Sequence, residues 1–308
     1  MSFSKDTKKE LCDCDTGTAE EMTALCYGMT LYSRVFSFSS LTASTESKPC
    51  AVLYSNLLSS LTGTIVELSS TLTHRSGENS IYTVSVPDKN DCEKIFDHFG
   101  HSKKRISLQI NRANIDNEGC LPFFLRGVFL ICGNVSSPEK DYHMEFVVPH
   151  KNLAADLVRI ITEIEELDAQ PKTVMRKGSY IVYIKGSDSI TDILTYMGAQ
   201  MSSLDIIQNK MLKDVRNKVN RRINSETANI NKTATASAKQ LYAIRLIMEK
   251  QGLGSLPDEL RELAQLRLDN PEYNLRELGA ALSKPISRSG VNHRLVRIMK
   301  IAEELSEK

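Results

Sequence analysis

The chain has no run of about 18 uncharged apolar residues, which leaves no candidate for a transmembrane helix. Its most apolar stretch, Phe123 to Cys132, is short and carries Arg126. Met1 to Asp15 is polar and lacks the continuous apolar core of a secretory signal. The cysteines at 12, 14, 26, 50, 92, 120 and 132 are odd in number and include no C-x-x-C pair. They read as reduced thiols of a cytoplasmic protein, not as a disulfide framework. Cys12 and Cys14 have no matching Cys or His cluster nearby. His98 and His101, at helical i, i+3 spacing, offer only two nitrogens. No metal site and no cofactor is expected.

Net charge is also nearly absent, at +1, but it is unevenly spread. Residues 1–200 carry 20 Lys/Arg against 25 Asp/Glu, and residues 201–308 carry 19 against 13. An acidic front and a basic rear point the rear toward a polyanion. The 308 residues, 41% hydrophobic and 25% charged, are enough for two or three folded domains.

The front contains a duplication at an offset of 99. Leu25-Cys26-Tyr27-Gly28-Met29-Thr30-Leu31 aligns with Phe124-Leu125-Arg126-Gly127-Val128-Phe129-Leu130, two apolar segments with a central glycine. Ile81–Val84 aligns with Tyr180–Tyr183 at the same offset. Each of these strands leads into an amphipathic segment ending in Gly, Asp91 to Gly100 and Ser189 to Gly198. In the second copy the spacing predicts a helix over Leu121–Cys132, strands over Tyr142–Val148 and Val174–Lys185, and helices over Asn152–Leu167 and Ser189–Gln200. Two such α+β halves, about 20–110 and 119–200, must pack together to bury their apolar faces.

From Met201 to Ile223 the pattern is helical, with Leu204, Ile207, Met211 and Val215 as one apolar stripe and basic residues elsewhere. The Asn- and Thr-rich segment 224–235 reads as a linker or helix break. Residues 201–235 thus form a basic helical linker and 236–308 an all-α domain. Its first helix has a face at Leu241, Ile244 and Met248 and ends at Gly252 and Gly254. Ser255-Leu256-Pro257 opens the next helix, and Asn270-Pro271 closes it.

Asn274 to Ala302 is the strongest local signal. Asn274 with Glu277 makes a capping box, Leu275, Leu278 and Leu282 face inward, and Gly279 suggests close approach of a crossing helix. After Ser283-Lys284-Pro285 a second helix begins near Ser287. Val291, Leu295, Ile298 and Ala302 line its inner face, while Ser289, His293, Arg297 and Lys300 point the opposite way, flanked by Asn292 and Arg294. No acid occurs from Lys284 to Lys300. Arg can take guanine O6 and N7 and Asn adenine N6 and N7, and Ser287 with Arg288 at the helix start suits a phosphate. The expected DNA-contacting set is therefore Ser287, Arg288, Ser289, Asn292, His293, Arg294, Arg297 and Lys300, with Lys284, Arg216, Arg221 and Lys232 as further phosphate contacts. Truncating Arg294 or Arg297 is expected to weaken DNA binding with little loss of fold.

The chain resembles the WhiA family of bacterial DNA-binding proteins over nearly its whole length. The resemblance is carried by Gly133-Asn134-Val135 with Pro138-Glu139-Lys140 and Tyr142-His143-Met144-Glu145, by Tyr180 to Lys185, and by Ile193-Leu194 with Gly198-Ala199. It continues in Arg216-Asn217, Asn220-Arg221, Asn224, Glu226, Ala228-Asn229 and Lys232-Thr233, and in Pro285 to Leu295. The first hundred residues match more loosely. The resemblance implies a duplicated LAGLIDADG homing-endonuclease-like domain, a linker, and a helix-turn-helix similar to sigma-factor region four. It also implies roles in cell division, chromosome segregation and, in sporulating species, transcription of developmental genes.

LAGLIDADG nucleases present an acid to Mg²⁺ at the end of each motif helix, just before the motif's final glycine. Here Cys132 precedes Gly133, and the equivalent of the first copy is Ser33 before Arg34. Neither replaces a carboxylate as an Mg²⁺ ligand, so no catalytic residue is assigned. The expectation is a non-catalytic regulator of double-stranded DNA, cytoplasmic and nucleoid-associated, meeting other transcription or chromosome-organisation proteins but no membrane. The alternatives are an endonuclease using unconventional acids such as Glu139, and a partner- or ligand-binding front domain tethered to DNA by the rear.

Overall fold

The computed structural model describes residues 2–73, 79–104, 107–117 and 119–306. After an N-terminal helix α1 (Phe3–Asp13), the chain runs through the same succession of elements twice. The first pass is α2 (Ala19–Leu31), β1 (Val35–Ser37), β2 (Ser40–Thr45), α3 (Lys48–Thr62), β3 (Glu67–Thr73), β4 (Asn79–Val86) and α4 (Lys89–His98). The second is α5 (Cys120–Cys132), β5 (Gly133–Val135), β6 (His143–Val148), α6 (Lys151–Glu163), β7 (Lys172–Arg176), β8 (Ser179–Lys185) and α7 (Ser187–Met197). The sheets share one antiparallel order, β1-β2-β4-β3 and β5-β6-β8-β7. The duplication at offset 99 is therefore a structural one. The single strand expected over Val174–Lys185 is instead a hairpin, turning at Lys177 and Gly178, both at positive φ.

Each sheet buries alternate residues, as period-two strands must. In β6, Met144, Phe146 and Val148 are buried and pair across to β8, Met144 with Ile184 and Phe146 with Val182. The opposite face differs between the halves. On the first sheet it carries the paired hydroxyls Thr42 and Ser85, Ser44 and Thr83, and Ser69 and Thr83. On the second it carries His143 opposite Lys185 and Lys172 opposite Tyr183, with Arg176 opposite Ser179.

Helices α2 and α5 hold the halves together. Eight successive residues of α2, Ala24 to Leu31, are buried, so this helix is packed on every side and has no polar face. A Cβ placed on Gly28 would lie 2.3 Å from the Phe124 carbonyl oxygen, and one on Gly127 would lie 2.2 Å from that of Leu25. Each backbone occupies the space the other's side chain would need. Arg126, the lone charge in α5, is buried but satisfied: Nε donates to the Met197 carbonyl at 2.8 Å and Nη1 to that of Asp15 at 2.7 Å. Its guanidinium also lies 4.6 Å over the Phe123 ring.

The break expected over residues 224–235 is absent, and two helical spacings noted in the sequence form neither a shared nor a buried face. Helix α4 ends at His98, so His98 and His101 do not share a helical face; His98 is exposed and His101 is packed among Tyr27, Phe36 and Phe96. Residues 224–235 are not a break, because α8 (Gln200–Gln251) runs unbroken for 52 residues. No Gly or Pro lies within it, and Asn or Thr costs a helix only about 0.7 kcal/mol or less per residue. Within the segment Arg222 pairs with Glu226 at 2.9 Å, an i,i+4 link worth about 0.2–0.5 kcal/mol, and the Thr233 hydroxyl donates to the Asn229 carbonyl at 2.9 Å. Leu204, Ile207, Met211 and Val215 are exposed, not a buried stripe; Ser202, Ser203 and Ile206 are the buried positions of that turn. Packing contacts divide the chain between Lys213 and Asp214, inside α8.

Gly28→Ala and Gly127→Ala should each destabilise the protein by about 1–3 kcal/mol through overpacking, read as a lower denaturation midpoint. The double substitution should cost less than the sum, because the first separation of the helices makes room for the second. Gly254→Ala, where nothing among the described residues lies within 4 Å of a Cβ, should be nearly neutral.

Candidate nucleic-acid interface

The rear unit builds its core from Ala243, Ile244 and Ile247 of α8, with Met248 exposed, and from α9 (Asp258–Asp269), α10 (Leu275–Ala281) and α11 (Arg288–Ser306). The capping box at the start of α10 is formed. Asn274 Oδ1 accepts from the Glu277 N–H at 3.1 Å, and Glu277 Oε2 accepts from the Asn274 N–H at 2.7 Å. A Cβ on Gly279 would lie 2.4 Å from the Ile286 carbonyl oxygen and 3.1 Å from Val291 Cγ2. The glycine therefore admits the backbone of the turn first and the crossing helix second. The turn is also tied to α9: Glu262 accepts from the Ser283 N–H at 2.6 Å and hydroxyl at 3.0 Å, and these donors hold its carboxyl below the ordinary value.

On α11 the inward residues are Val291, Leu295, Ile298 and Ala302. Ser287, Arg288, Ser289, Asn292, His293, Arg297 and Lys300 are exposed, as is Lys284 in the turn. Ser287 Oγ accepts from the Gly290 N–H at 3.2 Å and so caps the helix. Arg294 differs from the rest. It ion-pairs with Glu259 of α9 at 3.1 Å, and its side chain is only 21% exposed. Arg216, Arg221 and Lys232 are exposed along α8. Sequence reasoning does not single out Arg276, the exposed second residue of α10, although the Asn274-x-x-Glu277 box fixes its place.

In the front unit, a pocket of about 580 Å³ opens at the ends of α2 and α5, lined by Lys8, Arg34, Cys132, Asn134 and Glu145 among others. Ser33 is buried, its hydroxyl donating to the Val35 carbonyl at 3.1 Å. The Cys132 thiol donates to the Val128 carbonyl at 3.3 Å, and burial pushes its pKa up to about 12. The pocket's carboxylates are engaged: Glu46 pairs with Lys5 at 3.0 Å, and Glu145 lies 3.4 Å from His143 Nε2. Lys8 sits 5.8 Å over the Phe129 ring, and burial pulls its pKa below the ordinary value. Glu139 is exposed in a turn outside the pocket. Cys12 lies 3.3 Å from Cys50, sulfur to sulfur, and the Cys14 thiol donates to the Glu10 and Gly198 carbonyls. Among the described residues, no group of three or more His, Cys, Asp or Glu is placed to hold a metal ion.

Family models for the WhiA LAGLIDADG-like domain and the WhiA C-terminal HTH domain match residues 121–216 and 219–302. The "Probable cell division protein WhiA" of Clostridium novyi (strain NT) is 36% identical over 99% of this chain and 98% of its own length. The crystal structure of full-length DUF199/WhiA from Thermatoga maritima superposes with a TM-score of 0.60 at 25% identity, covering 99% of both chains. That of the N-terminal LAGLIDADG domain of DUF199/WhiA superposes with a TM-score of 0.50 at 19% identity, over 64% of this chain and 90% of that one. The fold is thus α+β, a duplicated LAGLIDADG homing-endonuclease-like domain followed by an all-α helix-turn-helix domain. On the strength of the relative that matches it from end to end, the chain belongs to the WhiA family.

Proposed function

We propose that this protein is a non-catalytic DNA-binding regulator that acts in cell division and chromosome segregation by controlling transcription from the nucleoid. The observation that carries the reading is the outward face of α11. Ser289, His293, Arg297 and Lys300 stand exposed on a helix whose other side is locked into a capped helix pair. No acid occurs between Lys284 and Lys300 to repel a phosphate backbone. Arg288 and Asn292 extend that face along one flank, and Lys284, Arg216, Arg221 and Lys232 are the proposed phosphate contacts. Double-stranded DNA is the partner, and other transcription or chromosome-organisation proteins are the proposed protein partners. The name of the Clostridium novyi relative supports the link to cell division.

The front unit supports the non-catalytic part of the reading. At the ends of the paired helices, where a nuclease needs carboxylates for a hard cation, this chain has Ser33 and Cys132. Lys8 and Arg34 line the adjoining pocket. Cations there oppose a divalent ion by direct repulsion.

Affinity of the full-length protein for duplex DNA should fall steeply as salt rises, by about 0.9 in log K per log salt for each phosphate neutralised. Arg297→Ala and Lys300→Ala should weaken binding, by about 1–3 kcal/mol where the side chain meets a base edge. Arg294→Ala should weaken it less and should also lose stability, by about 1 kcal/mol at most, because it breaks the pair with Glu259. Equal losses of DNA affinity for Arg294→Ala and Arg297→Ala would place both on the interface. In a plasmid-nicking assay with Mg²⁺ no turnover is expected; turnover abolished by Glu139→Gln or Glu145→Gln would overturn the non-catalytic reading.

A further inference from the structure

A second concave surface lies in the rear unit, beside α11 and away from the apex of its outward face. It is a cleft of about 420 Å³ walled by the 232–240 stretch of α8, by α9, and by the first turns of α10 and α11. Four of the residues lining it are cationic: Lys232, Arg267, Arg276 and Arg288. None of the lining residues is acidic, and Lys232, Arg276 and Arg288 make no ion pair among the described residues. Of the nearby acids, Glu277 caps α10 and Glu259 holds Arg294, while Glu272 lies close enough to act on the buried Arg267 guanidinium. Three cations gathered without a counter-ion repel one another, an arrangement that a bound anion relieves.

The floor of the cleft supplies a second, independent observation. Arg267 is only 2% exposed and Gln240 only 5%. Arg267 Nη1 donates to the Tyr273 carbonyl at 2.6 Å, which fixes the guanidinium in place. Its Nε, a donor, has no hydrogen-bond partner among the described residues; the unpaired Oε1 of Gln240 is an acceptor and asks for a donor, not for an anion. Buried polar groups are almost always paired, so each exception asks for a reason. A guanidinium at the base of an acid-free cationic cleft, with the Asn292 amide at the rim, suits a tetrahedral oxyanion with several acceptor oxygens.

We propose that this cleft is a phosphate-binding site, and that its phosphate is a backbone phosphodiester of the DNA strand passing the flank of α11. Arg288 and Asn292 belong both to that flank and to the cleft wall, so a duplex engaged by the helix presents phosphates at this edge. The choice of DNA as the source rests on the function proposed above; the presence of a phosphate site does not. Phosphate contacts of this kind fix the register of a reading helix without carrying sequence information.

The test uses the full-length protein and the double variant Arg276→Gln/Arg288→Gln. Both side chains are exposed, so the melting temperature should hold. If it falls, Lys232→Gln, on an exposed turn of α8, takes its place. Arg245→Gln, an exposed cation of α8 outside the cleft, is the charge control. Duplex affinity should drop at least about tenfold in the double variant, with the salt slope reduced by about one. In the control it should stay within about twofold, since an exposed charge outside the contact adds only screened, long-range attraction. In parallel, phosphorus NMR of inorganic phosphate titrated without DNA should show broadening that the double variant abolishes. Phosphate binding lost in the variant with duplex affinity unchanged would keep the site and assign it to a free phosphate, overturning the DNA source. No change in either readout would overturn the site itself. If Arg297→Ala/Lys300→Ala also left duplex affinity unchanged, the DNA-binding reading would fail, and the phosphate titration alone would decide the cleft.

Discussion

The front of this molecule depends on two glycines that let two backbones touch. Gly28 and Gly127 sit at matching points of α2 and α5, and each leaves room for a carbonyl of the opposite helix. Once the helices meet there, their remaining surfaces must be covered, and both helices are buried over unbroken stretches, Ala24 to Leu31 and Phe124 to Leu130, that are apolar apart from Thr30 and Arg126. A contact this short leaves no space for a side chain and little freedom of angle, so the two halves are held as one rigid crossing.

Much of this was legible from residue order, because it rests on period and punctuation. The repeat at offset 99 exposed the duplication, and the inward positions of α11 followed from 3.6-residue spacing. The cap at Asn274 was visible as an Asn followed three residues later by Glu. What escaped was decided by partners distant in sequence. Leu204, Ile207, Met211 and Val215 have the spacing of a buried face, yet spacing cannot say which side of a helix finds a partner. The Asn- and Thr-rich stretch of α8 looked like a break because Asn and Thr compete for local backbone bonds, yet without Gly or Pro their cost is too small to stop a long helix. Arg294 looked like its neighbour Arg297 until α9 supplied Glu259. Gln240 gave no signal at all, since its interest lies in an unpaired oxygen that only the folded chain creates.

The two units use charge in contrasting ways. In the front, isolated cations are drawn inside and occupied. Arg126 is spent on two carbonyls and an aromatic ring, and Lys8 lies over Phe129. In the rear, cations are lifted outward on helices whose inner faces form the core, and among the described residues those near the turn lack carboxylate partners, with Arg294 the exception. Buried charge of the first kind serves architecture; displayed charge of the second kind is available to a polyanion.

The hydroxyl-lined sheet and its basic counterpart carry one further implication. Backbone duplication alone would give the front unit two interchangeable ends. Thr42, Ser44, Thr83 and Ser85 on one sheet against Lys172, Arg176 and Lys185 on the other abolish that equivalence. A two-fold symmetric body laid across both would find unlike surfaces under its two arms. The near-symmetry of the backbone is thus broken at its surface, and the front unit carries a polarity that its fold alone would lack.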